Sequence, residues 1–275
     1  MSDTVTVSHI IDLMARIAPP SLAEDWDNCG LQVGSGSWPV RKIWVALDPS
    51  FFVVTNACQN RVDLLITHHP LIFKPLRSID SRTPIGSVIE SALRHRMAIF
   101  SAHTNLDAVR EGLNDRLAGL IGLSGRRVLQ PRETDPLLCA AGENGIGRIG
   151  SLEKPLKLKA LAADLKTKLR LPVVRMAGDP DSTVREVALC TGSGSSLMPE
   201  VMRAGAQVYI SGDLRYHDAR DAEAVKLCLL DIGHFASEHL MVNLLVERLR
   251  ESVRSAGLSV QVEPFGLEKD PFIAV

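Results

Sequence analysis

A pattern that occurs twice constrains this chain more than any single motif. With Val40 set on Val184, "PVRKIWVALDPS" lies over "TVREVALCTGSG" and "RVDLLITHHP" over "GAQVYISGDL", without a gap as far as Thr67 on Ser211. Identities are few, but the order of apolar run, small-residue turn, helical stretch and apolar run is kept. Further along, "MAIFSAHTNLDA" lies over "CLLDIGHFASEH", so that His103 falls on His234 and Asp107 on Glu238. Any two α/β units share apolar runs by chance. They share His-x-x-x-acid after the last run far less readily, and this points to an internal duplication.

Each copy alternates compact apolar runs with helical stretches. The first reads as strand "KIWVAL", a helix near 50–60, strand "DLLIT", a helix near 86–95, strand "MAIFSA" and a helix near 110–120. That alternation is the signature of an α/β fold. Upstream, Ile10, Leu13, Met14 and Ile17 recur at helical spacing behind Ser8 as N-cap, predicting a helix over 9–18 closed by Pro19 and Pro20. A short strand "LQV" stands inside loop-like sequence. Between the copies, residues 128–183 hold the turn-rich "CAAGENGIGRIGSL" and the helix-like "PLKLKALAADLKTKLR". They are either an insertion or the extra elements of a second lobe.

Composition narrows the function classes. With 275 residues and 45% hydrophobic content the chain can bury a sizeable core. A net charge of −1, from 31 basic and 32 acidic residues spread along the chain, leaves no electrostatic footprint for nucleic acid or an anionic membrane. The five cysteines contain no CxxC pair and are odd in number, as expected of free thiols in a reducing cytosol. Neither a signal-peptide pattern nor an apolar run of roughly 18 to 20 residues is present, so a soluble, cytoplasmic protein is expected.

The chemistry-bearing residues cluster at strand ends. His68 and His69 follow "LLIT", and neighbours on a regular strand point to opposite faces. Both rings can serve one site only beyond the strand, where Pro70 ends the ladder. The C-terminal edge of strands is also where open α/β sheets place their sites. Asp107 and Glu238 each stand just past a strand near a predicted helix start, and His234 and Glu238 at i, i+4 share one helix face, anchored by Leu240, Met241, Leu244, Leu245 and Leu249. An ordinary strand-end His pair and helix-start acids favoured by the dipole are the bland alternatives. Taken together, three imidazoles and two carboxylates match what two divalent ions need, and imidazole favours zinc, manganese or iron over magnesium. His103 is a sixth candidate: a partner to a ligand, a proton carrier or a packed ring. His9 and His95 read as solvated or satisfied, His239 points away from Glu238, and His217 stays open.

Other motifs carry less. "GENGIGRIG" matches no phosphate-binding fingerprint and reads as a turn or hairpin. "TGSGSS" is equally an anion-binding turn or a plain strand-to-helix turn, and no Gx-S-x-G elbow exists.

"WDNCGLQVG", "THHPLIFKPL", "SAHTNLDAVREGLNDRLA", "GIGRIGSL", "ISGDLRYHDARDA" and "DIGHFASEHL" together resemble the GTP cyclohydrolase I type 2 homologue family, the Nif-three-like dinuclear-metal proteins. The resemblance covers nearly the whole chain, with "THHP" and "GHFASE" its specific part. It implies two intertwined α/β lobes from an internal duplication, mixed sheets flanked by helices, and a metal site between the lobes. The corresponding division is 1–125 completed by 228–275, and 126–227. It further implies a toroidal homohexamer and two divalent metal ions per chain on His68, His69, Asp107, His234 and Glu238, with His103 as catalytic candidate. The expected function is a dinuclear-metal-dependent hydrolase of a small nucleotide-like or heterocyclic substrate, GTP being the family-implied candidate. The alternative is a non-catalytic metal-binding scaffold or metal-handling ring; a module for partner proteins or threaded DNA is weaker still.

Overall fold

The structure is a computed structural model and describes residues 4–132 and 143–275. The chain divides into two compact units, Met1–Leu106 with Met241–Glu268, and Asp107–Leu240 with Lys269–Val275. The expected boundaries at 125 and 227 therefore move. The helix after Asp107 packs its Leu117, Ala118 and Ile121 into the second unit's core, and the strand at Cys228–Asp231 belongs to the second unit's sheet.

The first unit begins with α1 (Val7–Ile17), whose Val7, Ile10, Leu13, Met14 and Ile17 are buried. Its cap is Thr6 instead of Ser8, because the Thr6 backbone N–H donates to Nδ1 of His9 at 3.0 Å, so His9 closes the helix start. There follow β1 (Gly30–Val33), β2 (Lys42–Ala46), α2 (Phe51–Gln59), β3 (Leu64–Thr67), α3 (Pro84–Arg94), β4 (Ala98–Ser101) and α4 (Thr104–Ala108). Strands β2, β3 and β4 are parallel neighbours, and β1 joins β4 antiparallel. All four residues of β3 are buried, which explains its unbroken apolar run: a parallel central strand is covered on both faces. On one face Val53, Val54 and Ala57 of α2 and Val88, Ile89 and Ala92 of α3 pack against Trp44, Leu65 and Ile99.

The second unit contains α5 (Leu113–Ile121), β5 (Leu123–Pro131), β6 (Gly145–Lys157), α6 (Leu158–Lys168), β7 (Arg175–Ala177), β8 (Thr183–Ser193), α7 (Met198–Arg203), β9 (Val208–Gly212), α8 (Tyr216–Ala224), β10 (Cys228–Asp231) and α9 (His234–Glu238). Then α10 (Leu240–Ser255) and β11 (Gln261–Pro264) return the chain to the first unit, where β11 pairs parallel with β2. In the second sheet β8, β9 and β10 are parallel, with β6 antiparallel beside β8 and β7 antiparallel beside β10. Strand β8 alternates Val187 and Leu189 into one core with Ala188 and Cys190 into the other, as a period of two requires.

The described residues of 128–183 thus supply the end of β5, then β6, α6, β7 and the start of β8 to the second unit. The helix read from 155–170 begins only at Leu158, since Pro155–Lys157 complete β6. "GIGRIGSL" lies in β6, paired antiparallel with β5, while "CAAG" with Cys139 lies outside the described residues. Both units share three parallel strands with an antiparallel strand beyond the last. The copies differ by one residue: His103 comes two after the end of β4, His234 three after the end of β10, and the extra residue is Gly233 at φ +79°. Among the described residues no helix is long and apolar enough to cross a membrane.

Candidate metal centre

In the first unit the site grows from the ends of β3 and β4. The backbone N–H groups of His68 and His69 both donate to the carbonyl of Leu47, at 3.1 and 3.0 Å, so the chain leaves its ladder just where alternation would have split the two rings. Thr67 Oγ1 donates to the carbonyl of His69 and Ser101 Oγ to that of His68, each at 2.8 Å, which pins the turn. The ring centroids of His68 and His69 are 5.2 Å apart, and His103, just beyond β4, lies 5.1 and 5.7 Å from them. One ring nitrogen from each of the three can be chosen within 4.8 Å of the other two.

The outward nitrogens are committed. His68 Nδ1 donates to the carbonyl of Ala102 at 2.9 Å, His69 Nδ1 to Asp48 Oδ1 at 2.7 Å, and His103 Nδ1 to Asp27 Oδ1 at 2.9 Å. A carbonyl or carboxylate oxygen accepts, so each neutral ring carries its proton on Nδ1 and its lone pair on Nε2. The side chain of Asp27 is fully buried. Burial alone would raise its pKa, but the hydrogen bonds from His103, Thr104 and Cys29 outweigh burial and hold the carboxyl well below the usual range. Burial and the bond to Asp27 push the Cys29 thiol up to about 12.

In the second unit His234 opens α9 and Glu238 stands one turn on, with Nε2 and Oε2 2.7 Å apart. His234 Nδ1 donates to Asp213 Oδ2 at 2.8 Å, and Asp213 is held at a left-handed φ of 54° directly after β9. The Glu238 hydrogen bond, opposed by burial and helped by Asp213, raises the His234 pKa to about 9. Glu238 itself is buried. Gly192, at φ +65°, makes room for it: a Cβ there would sit 2.0 Å from Glu238 Oε1. The Gly192 N–H also donates to Ser237 Oγ at 2.9 Å, so this N–H of the "TGSGSS" turn is committed to α9. Asp107, on α4, accepts at its carbonyl from Asn114 Nδ2, whose Oδ1 accepts from the N–H of Thr191. Burial, then the charges of Asp107 and Glu238, drive the Cys190 thiol far up, so both carboxylates face the same part of this unit.

The structure therefore gathers His68, His69 and His103 in one unit and pairs His234 with Glu238 in the other, where Asp107 also lies. Asp27, Asp48 and Asp213 went unread in the sequence, although "SGD" at the repeat position of "THH" was a signal for Asp213. The remaining histidines are occupied elsewhere: His95 Nδ1 donates to the Ser91 carbonyl, His239 stacks on Phe235, and His217 lies edge-on to Tyr216. The break at His239 also separates α9 from α10, so the apolar stripe starting at Met241 buries a different helix from the one bearing Glu238. Imidazole and carboxylate donors, with Nδ1 of every candidate histidine already held, fit a divalent ion such as zinc, manganese or iron.

Residues 5–271 match the model of the Duf34/NIF3 (NGG1p interacting factor 3) family. The chain belongs to the DUF34/NIF3 family. Two curated DUF34/NIF3-like relatives are each called "GTP cyclohydrolase 1 type 2 homolog". One from Streptomyces coelicolor is 35% identical over 98% of this chain and 94% of its own length. One from Clostridium perfringens is 33% identical over 97% and 98%. A Bacillus cereus protein described as related to NIF3 matches at a TM-score of 0.93, with 27% identity and full coverage of both chains.

Proposed function

We propose that this DUF34/NIF3 protein is a metal-dependent hydrolase. His68, His69, Asp107, His234 and Glu238 hold two divalent ions per chain, and the substrate is a small nucleotide-like or heterocyclic molecule. One observation carries the reading: His68, His69 and His103 give Nδ1 to a carbonyl or carboxylate, the arrangement that leaves Nε2 as a ligand nitrogen or proton acceptor, and His234 gives Nδ1 to Asp213 while its Nε2 meets the Glu238 carboxylate. When bound, such ions polarise a substrate oxygen and lower the pKa of water towards about 7.

The chain's own residues do the rest. Asp48 and Asp213 orient their imidazoles, and Asp213 with Glu238 raises the basicity of His234. Gly192 leaves space for the Glu238 carboxylate to turn. The permanently ionised Asp27 holds Nδ1–H of His103, so that Nε2 takes a proton from the nucleophile or returns one to the leaving group. The relatives' name makes GTP the first substrate to try. Turnover of GTP and of a nucleotide and heterocycle panel is expected from metal-loaded protein, lost on chelation and lowered by Glu238→Gln. Full metal content with no turnover across the panel would contradict the hydrolase and favour a metal-holding scaffold.

A further inference from the structure

Two large aromatic side chains of the first unit stand in solvent beside the histidines. Trp26 is 59% exposed and Phe73 49%, whereas the side chain of His103 is 14% exposed. The three rings meet edge to face: Trp26 and Phe73 are 5.8 Å apart at 64°, Trp26 and His103 6.2 Å at 76°, and Phe73 and His103 6.4 Å at 75°. Mutually steep rings make a corner, and a planar molecule stacking on one of them meets its neighbours along its edge.

The corner is built, not incidental. Phe73 lies in the run between β3 and α3 that follows His68 and His69, a long stretch without helix or strand, which in compact folds is usually functional. Its preceding residue is fixed from both sides: the Ile72 N–H donates to Gln32 Oε1 at 3.2 Å, and the Ile72 carbonyl accepts from Asn28 Nδ2 at 2.6 Å. Gln32 Nε2 in turn donates to the Asn28 carbonyl at 2.7 Å. Four residues of the motif "WDNCGLQ" thereby gain a place: Trp26 forms one wall, Asp27 aims His103, and Asn28 and Gln32 hold the loop that carries the other wall. Exposed apolar side chains held this firmly next to reactive groups mark a binding surface.

We infer that Trp26 and Phe73 form a stacking surface for a planar, nitrogen-containing aromatic ring and deliver that ring to His103. This deepens the hydrolase reading by assigning the residues that hold the ring of its substrate, and rests on that reading only for what happens after binding. Purine nucleosides suit the corner because their ring offers a face to one wall and polar edges to solvent and to His103.

The test is calorimetric titration of guanosine, adenosine and ribose 5-phosphate into full-length protein, metal-loaded and chelator-treated, with metal content measured on every sample. Trp26→Ala and Phe73→Ala are each expected to weaken nucleoside binding on the order of 10-fold. Trp26→Phe should recover most of it, metal content should be unchanged, and ribose 5-phosphate should be indifferent to all three changes. Nucleoside binding that is absent from the parent protein, or equally tight in the Trp26→Ala/Phe73→Ala double variant, overturns the stacking surface. Circular dichroism identifies a variant that has failed to fold, for which Trp26→Leu and Phe73→Leu stand in under the same criteria. Absence of metal from the parent protein bears on the hydrolase reading alone, since the chelator-treated arm reads ring binding without it.

Discussion

An imidazole is a dependable metal ligand only when its second nitrogen is engaged, because the partner chooses the tautomer and holds the ring in plane. Asp48 and Asp213 do this for His69 and His234. Each carboxylate comes 21 residues before its histidine, and Asp27 stands 76 before His103, so no local spacing betrays them. The ligand-type residues were legible because His and acid recur at strand ends; their partners were not, because the contacts are made only when strand ends meet in the folded sheet. Replacing Asp213 by Asn keeps the shape and removes the charge. Metal affinity measured by chelator competition should then fall by about 10- to 100-fold. Unaltered affinity would remove Asp213 from the centre.

At the level of elements, the duplication explains why the halves are similar yet not interchangeable. The position of His69 in the first copy is that of Asp213 in the second, so a candidate ligand in one strand-end turn answers to the partner of a candidate ligand in the other. The succession of strands and helices along each copy and the His-x-x-x-acid spacing were readable from this repeat. Helix α1 was read late by two residues because the cap is made by His9 reaching back, a side-chain contact that Ser8 mimics in composition. The one-turn pair on α9 has a pH signature. In metal-free protein the protonated His234 ring, raised to about 9 by Glu238 and Asp213, stabilises the fold fully below the imidazole's ordinary 6.5. That contribution is lost as pH rises through about 9. Thermal midpoints of chelator-treated protein should therefore fall across that window, and His234→Gln should flatten the fall. An identical slope in the variant would place its origin elsewhere.

For the whole molecule, the chain runs from the first unit into the second within α4 and returns at the start of α10. The units' boundaries could not be read from repeat edges, because α5 comes from the first copy but packs in the second unit, and α10 comes from the second copy but belongs to the first. The assembly we propose is a toroidal homohexamer, for which light scattering should give about six times the 29.9 kDa chain mass. A monomer at micromolar concentration would contradict it. The most direct test of the central claim is the metal itself. Elemental analysis of protein purified without chelator should find about two divalent ions per chain, and the double change His68→Ala/His69→Ala should abolish most of that content while the fold persists by circular dichroism. Undiminished metal in the folded double variant, or none in the parent protein, would contradict the account.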